Sequence, residues 1–421
     1  MIGWAEVIQN IVYFISLYYV VFWLLVLLDS EDQKIRRIKK YPTVSIVIPA
    51  YNEEDNIVET INSVVNLDYP KDKIKLIVVD DGSKDKTYER AKAFIDDIKS
   101  KHSYIDVLLL TQKNHGKYYA MNHSLKYVDT DFFATMDADS IPNKDALKNV
   151  IASFVSDDIA AVSSVLKVYK PKTTIQIVQW FEYSVNHFYK SLIANVNSIH
   201  VLPGPLSVYR TKIIKEINGF REAYKTEDME IVLRIQQKHY KIIQCNTAFV
   251  YTKAPAKIKE LYTQRHRWNF GTFKNLIKYR SMMLNKKYGD FGLFQLPIIL
   301  ISGILGITIL GLILYTSWKT AKPTFKMLQL YNYNIIEYLN HSTFNMILLD
   351  IDLKSIVTFI GFFAISILVI WLSLRLYKEK YTWKRSISFA LFLFFYYLFL
   401  AVVWLGVFKD VMMRKEAKWK K

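Results

Sequence analysis

One cysteine, Cys245, stands in 421 residues. An intrachain disulfide and any multi-cysteine metal site are therefore excluded, in keeping with a reducing compartment, and the lone thiol is expected to act as a small buried hydrophobe. Internal repeats, low-complexity linkers and RNA- or DNA-binding motifs are absent. The eight-residue P-loop pattern is missing too. Charge is also missing from four stretches: Val7 to Leu28, Phe291 to Trp318, Ser355 to Leu374 and Ser386 to Phe408.

Each uncharged stretch reaches the roughly 20 residues needed to cross a hydrocarbon core of about 30 Å. Any one alone reads equally as a buried helix of a soluble protein; four of them around a polar middle point to a membrane protein. The first has no basic segment before it and no small-residue cleavage site after it, so it reads as a retained anchor. Lys34, Arg36, Arg37, Lys39 and Lys40 follow, a cluster that the positive-inside rule places in the cytoplasm together with the polar middle, 41–290.

The formal charge of +18 could signal nucleic acid. The basic residues, however, crowd beside the apolar runs and around Arg265 to Lys287, which suits anionic lipid and a diphosphate-bearing substrate. At the C-terminal end the count of crossings conflicts with charge. One crossing before the polar region and three after it would leave the end outside, yet Lys409, Arg414, Lys415, Lys418, Lys420 and Lys421 argue for inside. Either one run is re-entrant or 319–354 holds another membrane element.

The polar region opens with alternating strands and helices, which predicts a mainly parallel sheet covered on both faces. Strands are expected at Thr43 to Pro49, Ile74 to Val79, Asp106 to Leu110 and Phe132 to Met136, and helices around Ile57 to Val65 and Ala91 to Ile98. Residues 172–198, with Trp180, Phe181 and Phe188, and residues 255–289 read either as interfacial or as core-facing helices.

In such sheets ligands gather at the carboxyl ends of the strands. One strand ends in Asp80, Asp81, Gly82 and Ser83, a carboxylate and glycine turn able to accept hydrogen bonds from a base or ribose, though Asp and Gly are also common turn residues. The next ends in Asp137, Ala138 and Asp139, hard oxygen donors suited to Mg²⁺ or Mn²⁺ beside a diphosphate, or a solvated loop. Gly116 and Lys117 start a helix whose amides and ammonium suit an anion. Glu227 and Asp228, after Thr226, offer the carboxylate that a sugar hydroxyl needs to lose its proton, with Asp228 the candidate base; helix capping is the competing reading. Gln264, Arg265, His266, Arg267 and Trp268 combine an amide, cations and an indole on which a sugar can stack; a membrane-surface helix would look similar.

Taken in order, Asp80, Asp137-Ala-Asp139, Thr226-Glu-Asp228 and Gln264-Arg-His-Arg-Trp268, with 35 residues between Asp228 and Gln264, resemble the processive family 2 glycosyltransferases. These include cellulose, chitin, hyaluronan and poly-N-acetylglucosamine synthases. The resemblance covers about residues 44–270. It implies an α/β GT-A (nucleotide-diphospho-sugar transferase) cytosolic domain inserted between transmembrane α-helices. The parts would be an anchor and basic segment over 1–40, a catalytic domain over 41–254, interfacial helices over 255–290 and a membrane region of about three helices over 291–421.

By the same resemblance, Pro49, Tyr51 and Glu53 would meet the uridine along with Asp80. Lys117, Asp137 and Arg267 would hold the diphosphate, and Asp137 and Asp139 the metal. Asp228, with Glu227, would be catalytic, and Gly204, Gln264 and Trp268 would meet the acceptor. The Pro203 to Arg210 segment resembles hyaluronan synthases, whereas the Thr-Glu-Asp form of the base motif and the single leading membrane run look more like bacterial poly-β-1,6-N-acetylglucosamine synthases. Both imply UDP-N-acetylglucosamine as donor, inversion by single displacement, a plasma-membrane location and an exported polysaccharide of the biofilm or capsule kind. A channel built from so few crossings leaves room for a second chain, a small membrane partner or an export protein. The alternatives are a non-processive transferase acting on a lipid such as a polyprenyl phosphate or ceramide and, from another class, a transporter or scaffold. Against the last, the membrane runs lack the internal charges of an ion pathway.

Overall fold

The computed structural model describes residues 4–29, 36–101, 106–337 and 353–414. Lys34, Lys415, Lys418, Lys420, Lys421 and the 338–352 portion of the 319–354 segment lie outside them. After a first helix α1 (Trp4–Leu28) the chain runs β1 (Val44–Ala50), α2 (Ile57–Val65), β2 (Ile74–Asp80), α3 (Thr87–Lys101), β3 (Asp106–Thr111), α4 (Lys117–Leu125) and β4 (Phe132–Thr135). It continues through β5 (Ser140–Pro142), α5 (Ala146–Ala152), β6 (Ile159–Val168), α6 (Thr174–Asn195), β7 (Ser207–Arg210), α7 (Thr211–Glu216), α8 (Glu227–Gln237), β8 (Lys241–Thr252) and α9 (Ile258–Lys278). Last come α10 (Leu296–Leu330), α11 (Leu353–Leu376), α12 (Ser386–Leu391) and α13 (Tyr397–Met412).

The central strands are apolar on both faces. Ile46 and Ile48 of β1 and Leu76 and Val78 of β2 enter one core with α2, α3 and α5, while Val47, Ile77 and Val79 enter another with α4, α6, α7 and α8. Burial on both faces is what a strand between two helix layers requires. Cys245 of β8 is free and buried in the first core, the place expected of it.

The sheet has eight strands in the order β3-β2-β1-β4-β7-β6-β8-β5. It is mainly parallel, as expected, with two reversed strands: β3, β2, β1 and β4 run parallel, as do β6 and β8, while β7 is antiparallel to both β4 and β6 and β5 is antiparallel to β8. Strand-helix alternation, the signature of parallel crossovers, holds only as far as β4. Past it, the Asp137–Asp139 turn leads straight into β5 at the far edge, and β7 returns through an extended segment after α6.

Four helical segments are long and apolar enough to cross a membrane: Trp4–Leu28, Phe291–Leu330, Ile356–Leu376 and Trp383–Met412. The second continues past Trp318 to Leu330 and carries Lys319, Lys322 and Lys326, so this part of 319–354 extends an existing helix rather than forming a new one. The last segment differs from the rest in being tied to the polar domain at both ends. Near its start Arg385 lies over the Trp180 ring of α6 at 4.2 Å, just after Glu379, which pairs with Lys167 at 3.0 Å and accepts from Trp180 Nε1 at 2.9 Å. Near its end Asp410 lies 3.2 Å from His266 Nε2 of α9, and Phe408 packs on Phe273. Between them Phe392 and Tyr396 share a cluster with Trp180 and Phe181. The helices α6 and α9 are thus neither bare interfacial helices nor simple core helices; each is held between the sheet domain and the apolar helices.

Candidate active site

The first strand ends are cross-braced before any chemistry is reached. Asn52, at positive φ, donates its N–H to Ser83 Oγ, and its side-chain oxygen accepts from Lys84 N; Glu53 N donates to Thr87 Oγ1. This stiffens the loop carrying Pro49, Tyr51 and Glu53 against the one carrying Asp80. Asp80 is buried; its Oδ2 accepts weakly from Ser83 N and Thr111 Oγ1, and its Oδ1 has no hydrogen-bond partner among the described residues. A buried acceptor of this kind ordinarily finds a donor.

Asp81 has a different job from the one a strand-end carboxylate suggests. It accepts from Gln112 Nε2 (2.7 Å), His115 N (3.1 Å) and Gly116 N (2.9 Å), folding the segment that leads into α4. Gly116 sits at φ 89, a conformation that favours glycine. Two of the amides expected to meet an anion before α4 are therefore already satisfied by Asp81, and what α4 offers to a ligand is Lys117.

Lys117 Nζ stands 2.5 Å from Asp137 Oδ1 and 3.7 Å from Glu227 Oε1. Burial disfavours its charge, but Asp137, Glu227 and Asp228 more than offset this and hold its pKa above the ordinary lysine value. Gly204 passes against the pair so closely that a Cβ there would collide with both Lys117 Nζ and the Asp137 carboxylate. Burial and the negative charges of Asp137 and Glu53 push Asp139 up to about 6.

Asp228 lies in the first turn of α8, where its Oδ1 accepts from Met229 N at 2.9 Å. Thr226 is the cap residue but makes no side-chain capping bond; its hydroxyl donates to Ala223 O instead. Burial and Glu227 push Asp228 up to about 7, against the opposing pull of Lys117 and Arg267. A carboxylate tuned to near neutrality suits a general base.

Helix α9 reaches this turn because Gly271 leaves room for the Thr226 side chain, and Asn275 Nδ2 donates to Thr226 Oγ1 at 3.0 Å. That contact delivers Arg267 to Asp228. Gln264 and Trp268 are organised by a residue that motif reading overlooks. Buried Arg265 forms an ion pair with Glu182 of α6 at 2.5 Å, donates to Tyr396 Oη at 3.2 Å and to Gln264 Oε1 at 2.5 Å, and lies 4.3 Å over the Trp268 ring. No sequence signal links Glu182 to Arg265, which are 83 positions apart. The close approach of α9 to Thr226 does carry a signal, the glycine inside an otherwise regular helix at Gly271.

The structure therefore gathers Lys117, Asp137, Asp139, Gly204, Glu227, Asp228 and Arg267 about one centre beyond the carboxyl ends of β1 and β4, with Glu53 near enough to act on Asp139. Residues 45–218 match the family model described as Glycosyl transferase family 2, and residues 132–409, more than half of the chain, match that described as Glycosyl transferase family group 2. The chain belongs to the family 2 glycosyltransferases.

Among relatives of this family, the chain is 28% identical over 271 residues to a probable glycosyltransferase of Bacillus subtilis, YdaM, covering 61% of this chain and 62% of that one. It is 26% identical over 254 residues to the poly-beta-1,6-N-acetyl-D-glucosamine synthase of Staphylococcus epidermidis, covering 60% and 58%. The match spans about three fifths of the length of these curated relatives. A mannosyltransferase from Pyrobaculum calidifontis, solved with GDP-Man and Mn²⁺, superposes over 98% of this chain and 99% of its own with a TM-score of 0.65 at 15% identity. That likeness shows the fold, the GT-A architecture expected from the motifs.

Proposed function

We propose that this glycosyltransferase is membrane-bound and processive, taking N-acetylglucosamine or a related sugar from a UDP-sugar and adding it in β linkage to a growing, exported polysaccharide. The observation that carries this reading is that Asp228 and Arg267 sit where α8 meets α9, and α9 in turn packs on the apolar helix Trp383–Met412. An acceptor leaving the base is thus already at the membrane region. The similarity to poly-N-acetylglucosamine synthases supports the choice of sugar.

In this reading the unpartnered Asp80 Oδ1 accepts a hydrogen bond from the uridine, flanked by Pro49, Tyr51 and Glu53. Lys117, Asp137 and Arg267 hold the diphosphate, and Gly204, Gln264 and Trp268 line the acceptor side. Asp137 and Asp139 are hard oxygen donors, and the like charge acting on Asp139 is what a divalent cation relieves. Among the described residues no group of three or more His, Cys, Asp or Glu side chains forms a cation site by itself, so diphosphate oxygens would complete the shell of Mg²⁺ or Mn²⁺. Such an ion neutralises charge on the leaving diphosphate. The acceptor hydroxyl attacks the anomeric carbon, its proton passes to Asp228, and the bond from that carbon to the diphosphate oxygen breaks with its electron pair leaving on UDP. Glu227, whose charge raises Asp228, strengthens the base.

Release of UDP by purified protein, compared across UDP-N-acetylglucosamine, UDP-glucose, UDP-galactose and UDP-glucuronate, tests the donor. The reading predicts preference for UDP-N-acetylglucosamine and loss of release on chelation by EDTA; preference for another donor rejects the sugar, and release undiminished by EDTA rejects the metal.

The docking of both ends of Trp383–Met412 on the catalytic domain supports a topology in which α1, α10 and α11 cross the bilayer and the last apolar segment lies at its cytosolic face. Three crossings put the basic C-terminus inside, removing the conflict between charge and crossing number. A green fluorescent protein fused at the C-terminus is expected to fluoresce and an alkaline phosphatase fusion to stay inactive; the reverse pattern would require a fourth crossing.

A further inference from the structure

Lys117, Asp228 and Arg267 stand on three different helices, α4, α8 and α9, and a chain of hydrogen bonds outside the motifs ties these helices together. Its first link is Asn122, further along α4 than Lys117. Asn122 grips the backbone of Phe220 on both sides: Nδ2 donates to Phe220 O at 2.7 Å, and Oδ1 accepts from Phe220 N at 2.8 Å. Gly219 lies so close to this amide that a Cβ there would collide with Asn122 Oδ1. The second link is Arg234 of α8, which donates from Nη1 to Ile217 O at 2.5 Å and from Nη2 to Gly219 O at 2.7 Å. Its Nε and Nη2 also meet the Glu230 carboxylate, Nη2 at 2.8 Å. The third link is Tyr279 at the end of α9, whose hydroxyl donates to Glu230 Oε1 at 2.5 Å.

Glu230 is wholly buried and Arg234 nearly so. A buried ion pair adds little net stability over apolar packing, whereas a guanidinium bonded through several atoms tolerates only one geometry. Here that geometry sets the spacing of α4 and α8 through the 217–220 segment, and of α8 and α9 through Tyr279 beside the Asn275–Thr226 bond. Lys117 Nζ faces Glu227 Oε1 across the same gap between α4 and α8. We propose that Asn122, Arg234, Glu230 and Tyr279 are positioning residues, a frame that holds the diphosphate-binding Lys117 and Arg267 at a fixed distance from the base Asp228. A shift of about 1 Å between reacting groups can cost about 10²-fold in rate, so a frame of this kind acts on kcat. This inference rests on Asp228 being the base and on Lys117 and Arg267 holding the donor.

The test is the split between kcat and KM, measured as UDP release by the full-length detergent-purified protein from the UDP-sugar that the wild type uses fastest. Rates are expressed per site that binds labelled UDP and taken well below the melting temperature, so that lost folded protein is not read as lost rate. Asn122→Ala frees Phe220, and Tyr279→Phe deletes a single hydroxyl. Each is expected to lower kcat about 10-fold and to leave KM within about threefold of wild type. Because both break one chain, the double variant should lose less than the product of the two single losses. An unchanged kcat per site in either single variant overturns the inference, and so does a double variant that loses the full product. If Asn122→Ala does not fold, Asn122→Asp, which keeps the acceptor for Phe220 N and loses the donor to Phe220 O, decides in its place. Asp228→Asn separates the two ideas: full activity in that variant removes the base itself, whereas an inactive Asp228→Asn beside an unchanged kcat in Asn122→Ala or Tyr279→Phe removes only the frame.

Discussion

Asp228→Asn is expected to lower kcat by about 10²–10⁴-fold, the usual contribution of a positioned general base. Asparagine keeps the size and the hydrogen bond to Met229 N but cannot take the hydroxyl proton, so the affinity for UDP should stay within a few-fold of wild type. The reaction needs the ionised carboxylate. Because burial and Glu227 push Asp228 up to about 7, kcat/KM should fall as pH drops through an apparent value near neutrality, and the fall should begin well above the ordinary carboxylate range. Glu227→Gln removes the like charge that raises Asp228. Its acidic limb should therefore shift to lower pH, and a shift upward would refute the electrostatic arrangement. The apparent value belongs to the Glu227–Asp228 pair and not to one residue.

The second large effect concerns stability. Arg265 and Glu182 are both almost completely buried, and their ion pair joins α9 to α6 beside Tyr396 of the last apolar segment. Arg265→Met leaves Glu182 as an uncompensated buried charge, a loss of about 3–5 kcal/mol, and removes the cation stacked on Trp268. A lowered melting temperature in detergent is expected, with activity reduced at temperatures where the protein still folds. Adding Glu182→Leu to Arg265→Met removes the stranded charge and should recover most of the lost stability but not the organisation of Gln264 and Trp268. Equal stability of the single and double variants would show that the pair does not join the two helices.

Much of this arrangement is legible in the sequence, because its parts obey local rules. Apolar runs such as Val44–Ala50 and Ile74–Asp80 end abruptly in polar turns, and the four uncharged stretches are long enough to announce themselves. The acidic turns after β2 and β4 are visible for the same reason. Long-range pairing is what escapes. Nothing in Ser207–Arg210 tells that it lies antiparallel beside β4, and Glu182 cannot be matched to Arg265 without the packing of α6 on α9. Asp80 and Asp81 are neighbours in one turn, yet one keeps an oxygen with no partner among the described residues and the other spends both on the 112–116 segment. Apolar composition likewise measures how much a helix avoids water, not what it covers; that Arg385, Phe392 and Asp410 of Trp383–Met412 rest on α6 and α9 is visible only in the fold.

The size of the product tests the central claim most directly. Detergent-purified protein would be given radiolabelled UDP-N-acetylglucosamine, and the label fractionated by size at an early stage of conversion, with Asp228→Asn alongside. Label in high-molecular-weight, chitinase- or hexosaminidase-sensitive polymer while most donor remains, and none in the variant, is the predicted result. Label confined to a lipid-soluble product carrying a single sugar would contradict it, and would make the enzyme a non-processive transferase to a lipid.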